Sequence, residues 1–136
     1  MVGCVSTLVE ESLGKATNMK IEGTTFGSIT IGGTTYDHDV LIRLFGEVRK
    51  RKKKLSKKEY GTSHVISKQE AEFVYEQGCT ELIIGTGQFD NVRLSPEATA
   101  YFRKRGCRII AEPTPIAIKR FNESREHKIG LFHVTC

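Results

Sequence analysis

The second half of the chain repeats one pattern that strongly restricts the possible folds. A capped helix start, a glycine that ends the helix (Gly78 and Gly106) and a short apolar strand follow one another in residues 67–84 and again in residues 95–111. Ser67 and Glu70 have the spacing of a capping box, and Ser95-Pro96 supplies an N-cap followed by a proline at the first helical position. Because a crossover helix separates the two strands, the pattern predicts that they run parallel in one sheet.

The first half predicts antiparallel strands instead. Residues 26–31 alternate apolar and polar side chains, Gly32-Gly33 forms a two-residue turn, and residues 34–36 begin the return strand. Two further strands are expected at residues 40–42 and around Val48. A third helix begins at Thr114-Pro115, and residues 129–134 form a last strand. The fold class is therefore α/β: a mixed central sheet flanked by helices, with an antiparallel N-terminal hairpin followed by alternating helix and strand.

Length and composition agree with one ordinary domain. The 136 residues are 38% hydrophobic and 27% charged, which excludes intrinsic disorder and a bilayer-spanning protein. We interpret residues 1–18 as a disordered extension or the product of an upstream start codon, and residues 19–136 as the domain. The N-terminal segment fits neither a signal peptide nor a membrane span, so we expect a cytoplasmic protein without membrane contact.

The four cysteines show no CxxC pattern and no spacing to histidine that suits zinc. We therefore predict no metal site. Cys79 and Cys107 each follow a glycine and precede an apolar run, which favours small buried residues at the starts of strands. A redox pair is the alternative interpretation.

A ligand site is expected where the parallel strands end. In open α/β sheets, ligands bind beyond the carboxyl ends of the strands, and the loops 85–88 and 112–115 should meet there. Free amides, a hydroxyl and a helix N-terminus suit a carboxylate or a phosphate. An ordinary turn and a structural helix cap are the alternatives. The sequence contains neither GxGxxG nor a Walker lysine, so no cofactor is expected. The candidate ligand-binding residues are Gly85, Thr86, Gly87, Gln88, Thr114 and His64.

Two other groups of residues suggest catalysis but have simpler interpretations. In Asp37-His38-Asp39, strand alternation places the histidine opposite both carboxylates, which favours a solvated strand edge or turn. His133 and Cys136 lie on opposite faces of the last strand and so should not form a nucleophile pair. We assign no catalytic residue.

The positive charge is concentrated in residues 49–58. This segment holds eight basic residues and no acidic one, whereas the net charge of the whole chain is only +5, so the remainder is acidic. We interpret the segment as an exposed, solvated loop that contacts polyanions non-specifically at low salt, because aromatic stacking partners are scarce. The basic patch comprises Arg49, Lys50, Arg51, Lys52, Lys53, Lys54, Lys57 and Lys58.

Taken together, several stretches resemble the Mth-domain family, whose function is unknown. They are Phe26-Gly-Ser-Ile-Thr-Ile-Gly-Gly-Thr-Thr-Tyr, Asp-His-Asp-Val40, the basic run, Tyr60-Gly-Thr-Ser-His-Val, Ile83-Ile-Gly-Thr-Gly, Pro113-Thr-Pro-Ile-Ala-Ile-Lys-Arg-Phe-Asn and Phe132-His-Val-Thr-Cys. The resemblance implies a compact α/β fold with a mixed sheet, but no reaction and no catalytic residues. Relatives include an adipogenesis-associated Mth-domain protein and a mitochondrial complex I assembly factor, which suggests action through protein partners.

Our leading functional hypothesis is a binding module that acts through a protein partner or a small anionic ligand at the sheet edge. The first alternative is a small enzyme that uses Thr86, Gln88, His64 and an aspartate. The second is a nucleic-acid accessory protein that uses the basic patch.

Overall fold

A computed structural model describes residues 20–134. The strands of this part of the chain are β1 Ile21–Thr25, β2 Ser28–Ile31, β3 Thr34–Tyr36, β4 Val40–Ile42, β5 Val48–Lys50, β6 Val65–Ile66, β7 Glu81–Gly85, β8 Arg93–Leu94, β9 Arg108–Glu112 and β10 Lys128–Phe132. Its helices are α1 Lys53–Tyr60, α2 Lys68–Val74, α3 Pro96–Lys104 and α4 Thr114–Glu123. The extension predicted for residues 1–18 lies outside the described residues, as does Cys136.

The central sheet has five strands in the order β5-β4-β10-β7-β9. Strands β10, β7 and β9 run parallel, whereas β4 is antiparallel to both β10 and β5. The predicted parallel pairing is confirmed: Glu81 lies beside Arg108 and Gly85 beside Glu112. The last strand, β10, lies between β4 and β7 and so joins the antiparallel half of the sheet to the parallel half.

The predicted hairpin is confirmed within a separate antiparallel sheet of order β1-β2-β3. Gly32 and Gly33 have φ angles of 56° and 85°. Positive φ at both central residues is the requirement of a type I′ turn, and glycine meets it without steric cost. This turn sets the register that places Ile31 opposite Thr34.

Both faces of the central sheet are covered. Leu82 and Ile84 of β7 pack in one apolar cluster with Phe102 of α3, whereas Ile83 points the other way and packs in a second cluster with Phe121 of α4. The second cluster also contains the inward side chains of the small sheet. Helices α2 and α3 thus cover one face, and α4 with the three-stranded sheet covers the other.

Gly130 of β10 marks a close approach between α4 and the sheet. A Cβ atom at this position would lie 2.5 Å from Cε2 of Phe132 and 2.9 Å from Cε1 of Phe121. The two rings pack edge to face with their centroids 5.7 Å apart. Glycine therefore provides the space that α4 occupies.

Two local expectations are wrong. Residues 49–58 form the end of β5 and helix α1 rather than a solvated loop, because Leu55 and the buried Ser56 lie on the inner side of a helix whose lysines remain largely exposed. Helix α2 ends at Val74, well before Gly78, since Tyr75 adopts extended backbone.

The structure also contains a short parallel ladder, β6 with β8, that the sequence did not suggest. No helix within residues 20–134 is long and apolar enough to cross a bilayer.

Candidate functional site

Strand register brings three distant charged or polar residues into one row at an edge of the central sheet. Val40 of β4 pairs with Phe132 of β10 on one side and with Lys50 of β5 on the other. Asp39, which precedes β4, therefore lies between His133, which follows β10, and Arg51, which follows β5. The carboxyl ends of β7 and β9 lie at this same edge.

Asp39 is the centre of a buried hydrogen-bond network. Its Oδ2 accepts hydrogen bonds from Nδ1 of His133 at 2.6 Å and from Nη1 of Arg51 at 3.0 Å, and its Oδ1 accepts one from the backbone amide of Val134 at 2.9 Å. The Nζ of Lys53 lies 3.5 Å from Oδ2. Only 1% of Asp39 is exposed, so the expectation of a solvated turn is wrong for this residue.

These partners keep Asp39 ionised. Burial alone would raise the pKa of its carboxyl, but the hydrogen bonds from His133 and Val134 and the positive charges nearby outweigh burial. The pKa of Asp39 is therefore held well below its ordinary range. An ionised carboxylate can only accept hydrogen bonds, which assigns the proton of the short contact to Nδ1 of His133.

Arg51 joins Asp39 to a second buried carboxylate. Its Nε donates to Oε2 of Glu70 at 2.6 Å, and its Nη2 donates to Oε1 of Glu70 at 3.1 Å and to the carbonyl of Ser63 at 2.7 Å. Ser56 donates a further hydrogen bond to Glu70 at 2.5 Å. This bidentate geometry suits arginine and not lysine. The expectation that the whole basic patch is exposed is therefore wrong for Arg51.

The capping box is only half formed as a result. Ser67 caps α2, since its hydroxyl accepts a hydrogen bond from the amide of Glu70 at 3.1 Å. The Glu70 side chain turns to Arg51 instead of returning to the amide of Ser67, which donates to Oγ of Ser56. Ser56 therefore contacts the Glu70 carboxylate directly, whereas Ser67 contacts only the backbone amide of Glu70.

His64 borders this network from the loop before α2. Its ring packs edge to face against the ring of His133, with centroids 5.4 Å apart. Partial burial, reinforced by the charges of His133 and Arg51, lowers the pKa of His64. The candidate ligand residue His64 therefore lies at the same edge as the Asp39 network, which we name the edge network: Asp39, Arg51, Glu70 and His133.

The two loops predicted to meet at the carboxyl edge do meet. The amide of Gly87 donates to Oγ1 of Thr114 at 2.9 Å, and the amide of Thr114 donates to the carbonyl of Gly87 at 3.1 Å. A Cβ at Gly85 would lie 2.9 Å from Oγ1 of Thr114, so glycine permits this approach. The two loops bind mainly to each other.

Thr114 is not the helix cap. The N-cap of α4 is Pro113, and Thr114 is the first helical residue. Its hydroxyl donates instead to the carbonyl of His133 at 2.7 Å, which ties the α4 start to the end of β10. Pro113 keeps the chain extended before the helix, so the Thr114 hydroxyl is directed at the sheet instead of at the helix amides.

The residues of the enzyme hypothesis have separate partners. Thr86 donates its hydroxyl to Asp90 at 2.5 Å, and Nε2 of Gln88 donates to Thr24 at 3.3 Å. His64 packs on His133. The three side chains lie along one edge but are not joined by a hydrogen bond to one another.

Beside the edge network, the start of α1 and the turn before β4 enclose a basic cleft of about 630 Å³. Its lining contains six cationic side chains and two carboxylates. The lining residues are Asp37, His38, Asp39, Lys50, Arg51, Lys52, Lys53, Lys54 and Lys57. Residues 20–134 contain no group of three His, Cys, Asp or Glu side chains that could hold a metal ion.

The model of a protein family of unknown function, DUF498/DUF598, matches residues 21–129. The chain belongs to this family. The resemblance to the Mth-domain family is thereby confirmed.

Three solved structures share the fold of this DUF498/DUF598 domain. Conserved hypothetical protein PH1505 from Pyrococcus horikoshii OT3 is 34% identical, with 87% of this chain and 100% of that chain covered and a TM-score of 0.82. The Methanothermobacter protein MT938 is 31% identical, with 87% of this chain and 99% of that chain covered and a TM-score of 0.75. A Bordetella parapertussis protein, 16% identical with 85% and 95% coverage and a TM-score of 0.65, shares the fold alone.

Sequence reasoning missed the edge network of this DUF498/DUF598 domain. His133 follows β10 at the carboxyl edge, where open α/β sheets place functional groups, but the strand predicted at residues 129–134 placed it within the strand. Asp39 precedes β4, which is antiparallel to β10, so the rule for carboxyl ends does not point to it. For Arg51, no local signal separated one buried arginine from seven basic neighbours that are exposed or only partly buried.

Proposed function

We propose that this domain is a binding module for a small anion, a carboxylate or a phosphate, held in the basic cleft. The observation that carries the proposal is the charge of the cleft lining: six cations face two carboxylates. Asp39, one of the two, is paired with Arg51 at 3.0 Å, which it shares with Glu70, and with Lys53 at 3.5 Å. The remaining lysines supply the positive potential for the ligand.

The start of α1 supports an anion in the same place. Lys52 is the N-cap of α1 and no side chain caps this helix end, and the first turn contains no acidic residue. The amides and the helix dipole at this end favour negative charge, as do the ammonium groups of residues 52–54. Arg51, fixed by two buried carboxylates, holds the start of the helix in position.

The cleft favours a small ligand over single-stranded nucleic acid. A volume of about 630 Å³ falls in the range of small-molecule sites. Its lining includes no phenylalanine, tyrosine or tryptophan on which bases would stack. The loop 85–88 and Thr114 stay a predicted ligand site, but we give the cleft precedence because many polar groups of the loops are bonded to one another.

Calorimetric titration of the full chain with inorganic phosphate, citrate and a DNA duplex tests the proposal. The double variant Lys52→Gln with Lys54→Gln removes two cleft charges, and Lys104→Gln with Lys119→Gln removes two charges elsewhere. We expect the cleft variant to bind phosphate or citrate roughly thirtyfold more weakly, since each of the two charges contributes about 1 kcal/mol at contact in water and about 1.4 kcal/mol corresponds to a tenfold change. Equal weakening in both variants, or no small-anion binding by the unaltered chain, would refute the proposal.

A protein partner is a second candidate, favoured by one observation. Phe26 and Phe89 are 65% and 71% exposed, and their ring centroids lie 6.4 Å apart. Gly27 donates its amide to the carbonyl of Val134 at 2.7 Å, which places this aromatic pair near the end of β10. Exposed adjacent aromatic rings suit a partner protein that presents an apolar side chain.

Photo-crosslinking separates this candidate from the anion site. A benzoylphenylalanine placed at position 89 should give a discrete cross-linked protein in cells, identifiable by mass spectrometry, that Phe26→Ser abolishes. The same probe at Phe45, which is 60% exposed, is the control. Identical products at both positions would remove the partner candidate. The cytoplasmic location and the domain boundary at residue 19 stay predictions.

A further inference from the structure

Two thiols face each other at the starts of β7 and β9. Sγ of Cys79 lies 3.1 Å from Sγ of Cys107, and neither forms a disulfide in this structure. The strand register produces this proximity, because the amide of Arg108 donates to the carbonyl of Thr80 at 2.9 Å and so aligns the residues that precede the two strands. The cysteine pair is thus a product of the parallel sheet and lies away from the edge network.

The pair is buried but lies directly beneath the surface. Cys79 and Cys107 are 3% and 2% exposed, whereas the residues on either side of each cysteine are exposed. Gly78 and Gly106, which precede them, have φ angles of 100° and 73°. Local opening of a surface turn costs less free energy than global unfolding, and this gives a small oxidant a route to the sulfurs.

The two thiols are chemically unequal. Cys79 is oriented towards the carbonyl of Glu81 at 3.4 Å, which leaves Cys107 to donate its S–H to the sulfur of Cys79. This hydrogen bond lowers the pKa of Cys79 and raises that of Cys107. The thiolate is the reactive form of cysteine, so Cys79 is the more nucleophilic member.

We propose that Cys79 and Cys107 form a reversible intramolecular disulfide when the protein meets a hydroperoxide. The thiolate of Cys79 attacks one peroxide oxygen, the O–O bond breaks, the other oxygen leaves as an alcohol or, from hydrogen peroxide, as water, and Cys79 becomes a sulfenic acid. The sulfur of Cys107 then attacks the sulfur of Cys79, and the S–O bond breaks as the S–S bond forms. The sulfenic hydroxyl leaves as water, the second thiol hydrogen ends on the alcohol or water formed in the first step, the dithiol is oxidised, and the peroxide is reduced.

The oxidised form should be the more stable one. The bond closes a segment of about 28 residues that contains α3, and cross-linking restricts the unfolded chain. For a domain of this size we expect the melting temperature to rise by about 10 °C. A dithiol reductant should reverse the rise.

The test uses the full chain carrying Cys4→Ser and Cys136→Ser, so that only the proposed pair can react. After hydrogen peroxide treatment, peptide mapping should show Cys79 linked to Cys107 and the loss of both free thiols. In the same background, Cys107→Ser should trap a sulfenic acid at Cys79 that dimedone labels. Cys79→Ser should leave Cys107 unlabelled, and circular dichroism checks that each variant is folded.

Three results would overturn the inference. The first is a folded protein in which Cys79 and Cys107 stay as free thiols after hydrogen peroxide treatment that oxidises an exposed thiol used as a control. The second is dimedone labelling of Cys107 in the Cys79→Ser variant at the rate seen for Cys79. The third, in the unaltered chain, is a disulfide from Cys79 or Cys107 to Cys4 or Cys136 in place of the proposed bond.

Discussion

Asp39→Asn should destabilise the fold strongly, although it only replaces one carboxylate oxygen by an amide NH₂ group. Asp39 accepts hydrogen bonds from Arg51 at 3.0 Å, from His133 at 2.6 Å and from the amide of Val134 at 2.9 Å. Asparagine keeps one acceptor oxygen but presents N–H groups where the second oxygen was, and these face other donors. Two charge-assisted hydrogen bonds are then lost at a site that is 1% exposed.

The expected cost follows from that count. Each charge-assisted hydrogen bond contributes about 1.5 to 3 kcal/mol, so two give about 3 to 6 kcal/mol, a range that includes the cost of about 3 to 5 kcal/mol for breaking a buried ion pair. Urea unfolding followed by far-ultraviolet circular dichroism measures the change. Asp37→Asn is the matched control, because Asp37 is exposed and should shift the unfolding free energy by at most about 0.5 kcal/mol. A loss below about 1 kcal/mol at Asp39 would refute the buried ion-pair network.

The same variant has a pH signature. The pKa of Asp39 is lower in the folded state than in the unfolded state, so its carboxylate contributes stability that is present above the unfolded pKa and lost as pH falls through the folded one. The difference between the unaltered protein and Asp39→Asn should therefore be largest near neutral pH. It should shrink as pH falls below about 4. A difference independent of pH would contradict the charge argument.

Three further outcomes are expected. Gly130→Ala should lower the unfolding free energy by about 1 to 3 kcal/mol, because its Cβ would lie 2.5 Å from Phe132; an unchanged urea midpoint would show that α4 tolerates the extra volume. Lys52→Ser and Lys54→Ser, at exposed positions, should each change the unfolding free energy by at most about 0.5 kcal/mol. Arg51→Lys should cost several times more, because lysine cannot form the bidentate contact with Glu70. Similar losses at all three positions would refute the difference between Arg51 and the exposed lysines. Fluorescence anisotropy with labelled duplexes and single strands should show weak binding without sequence preference. Its affinity should fall by roughly two to three powers of ten between about 50 and 200 mM salt. Sub-micromolar, sequence-selective binding at the higher salt would instead favour the nucleic-acid hypothesis.

The edge network and the cysteine pair have opposite environments in the same sheet. The network lies where the parallel strands end, beside a cleft rich in lysine, and all its charges have close partners. The cysteine pair lies where β7 and β9 begin. Perturbing one should leave the other unchanged, so the Asp39→Asn variant should retain the peroxide reactivity of Cys79 if it remains folded.

Local features were readable from the sequence because their causes are local. The Gly32-Gly33 turn follows from the φ angles that glycine permits, and the helix starts at Ser67 and Ser95 follow from hydroxyls that accept amide hydrogen bonds three residues ahead. The parallel pairing of β7 and β9 follows from the length and chirality of one crossover. Each of these inferences depends on neighbours along the chain or on one connection.

Only the tertiary structure decided the identity of the edge network. Asp39 and His133 are 94 residues apart in sequence, and they meet because β10 inserts between β4 and β7. Within the basic patch, like-charge repulsion predicted a solvated loop, but Arg51 is held by carboxylates from β4's leading turn and from α2. Whether an arginine is buried depends on which carboxylates from distant parts of the chain surround it. The packing of the sheet and helices brings those carboxylates together, so the local sequence does not show where they lie.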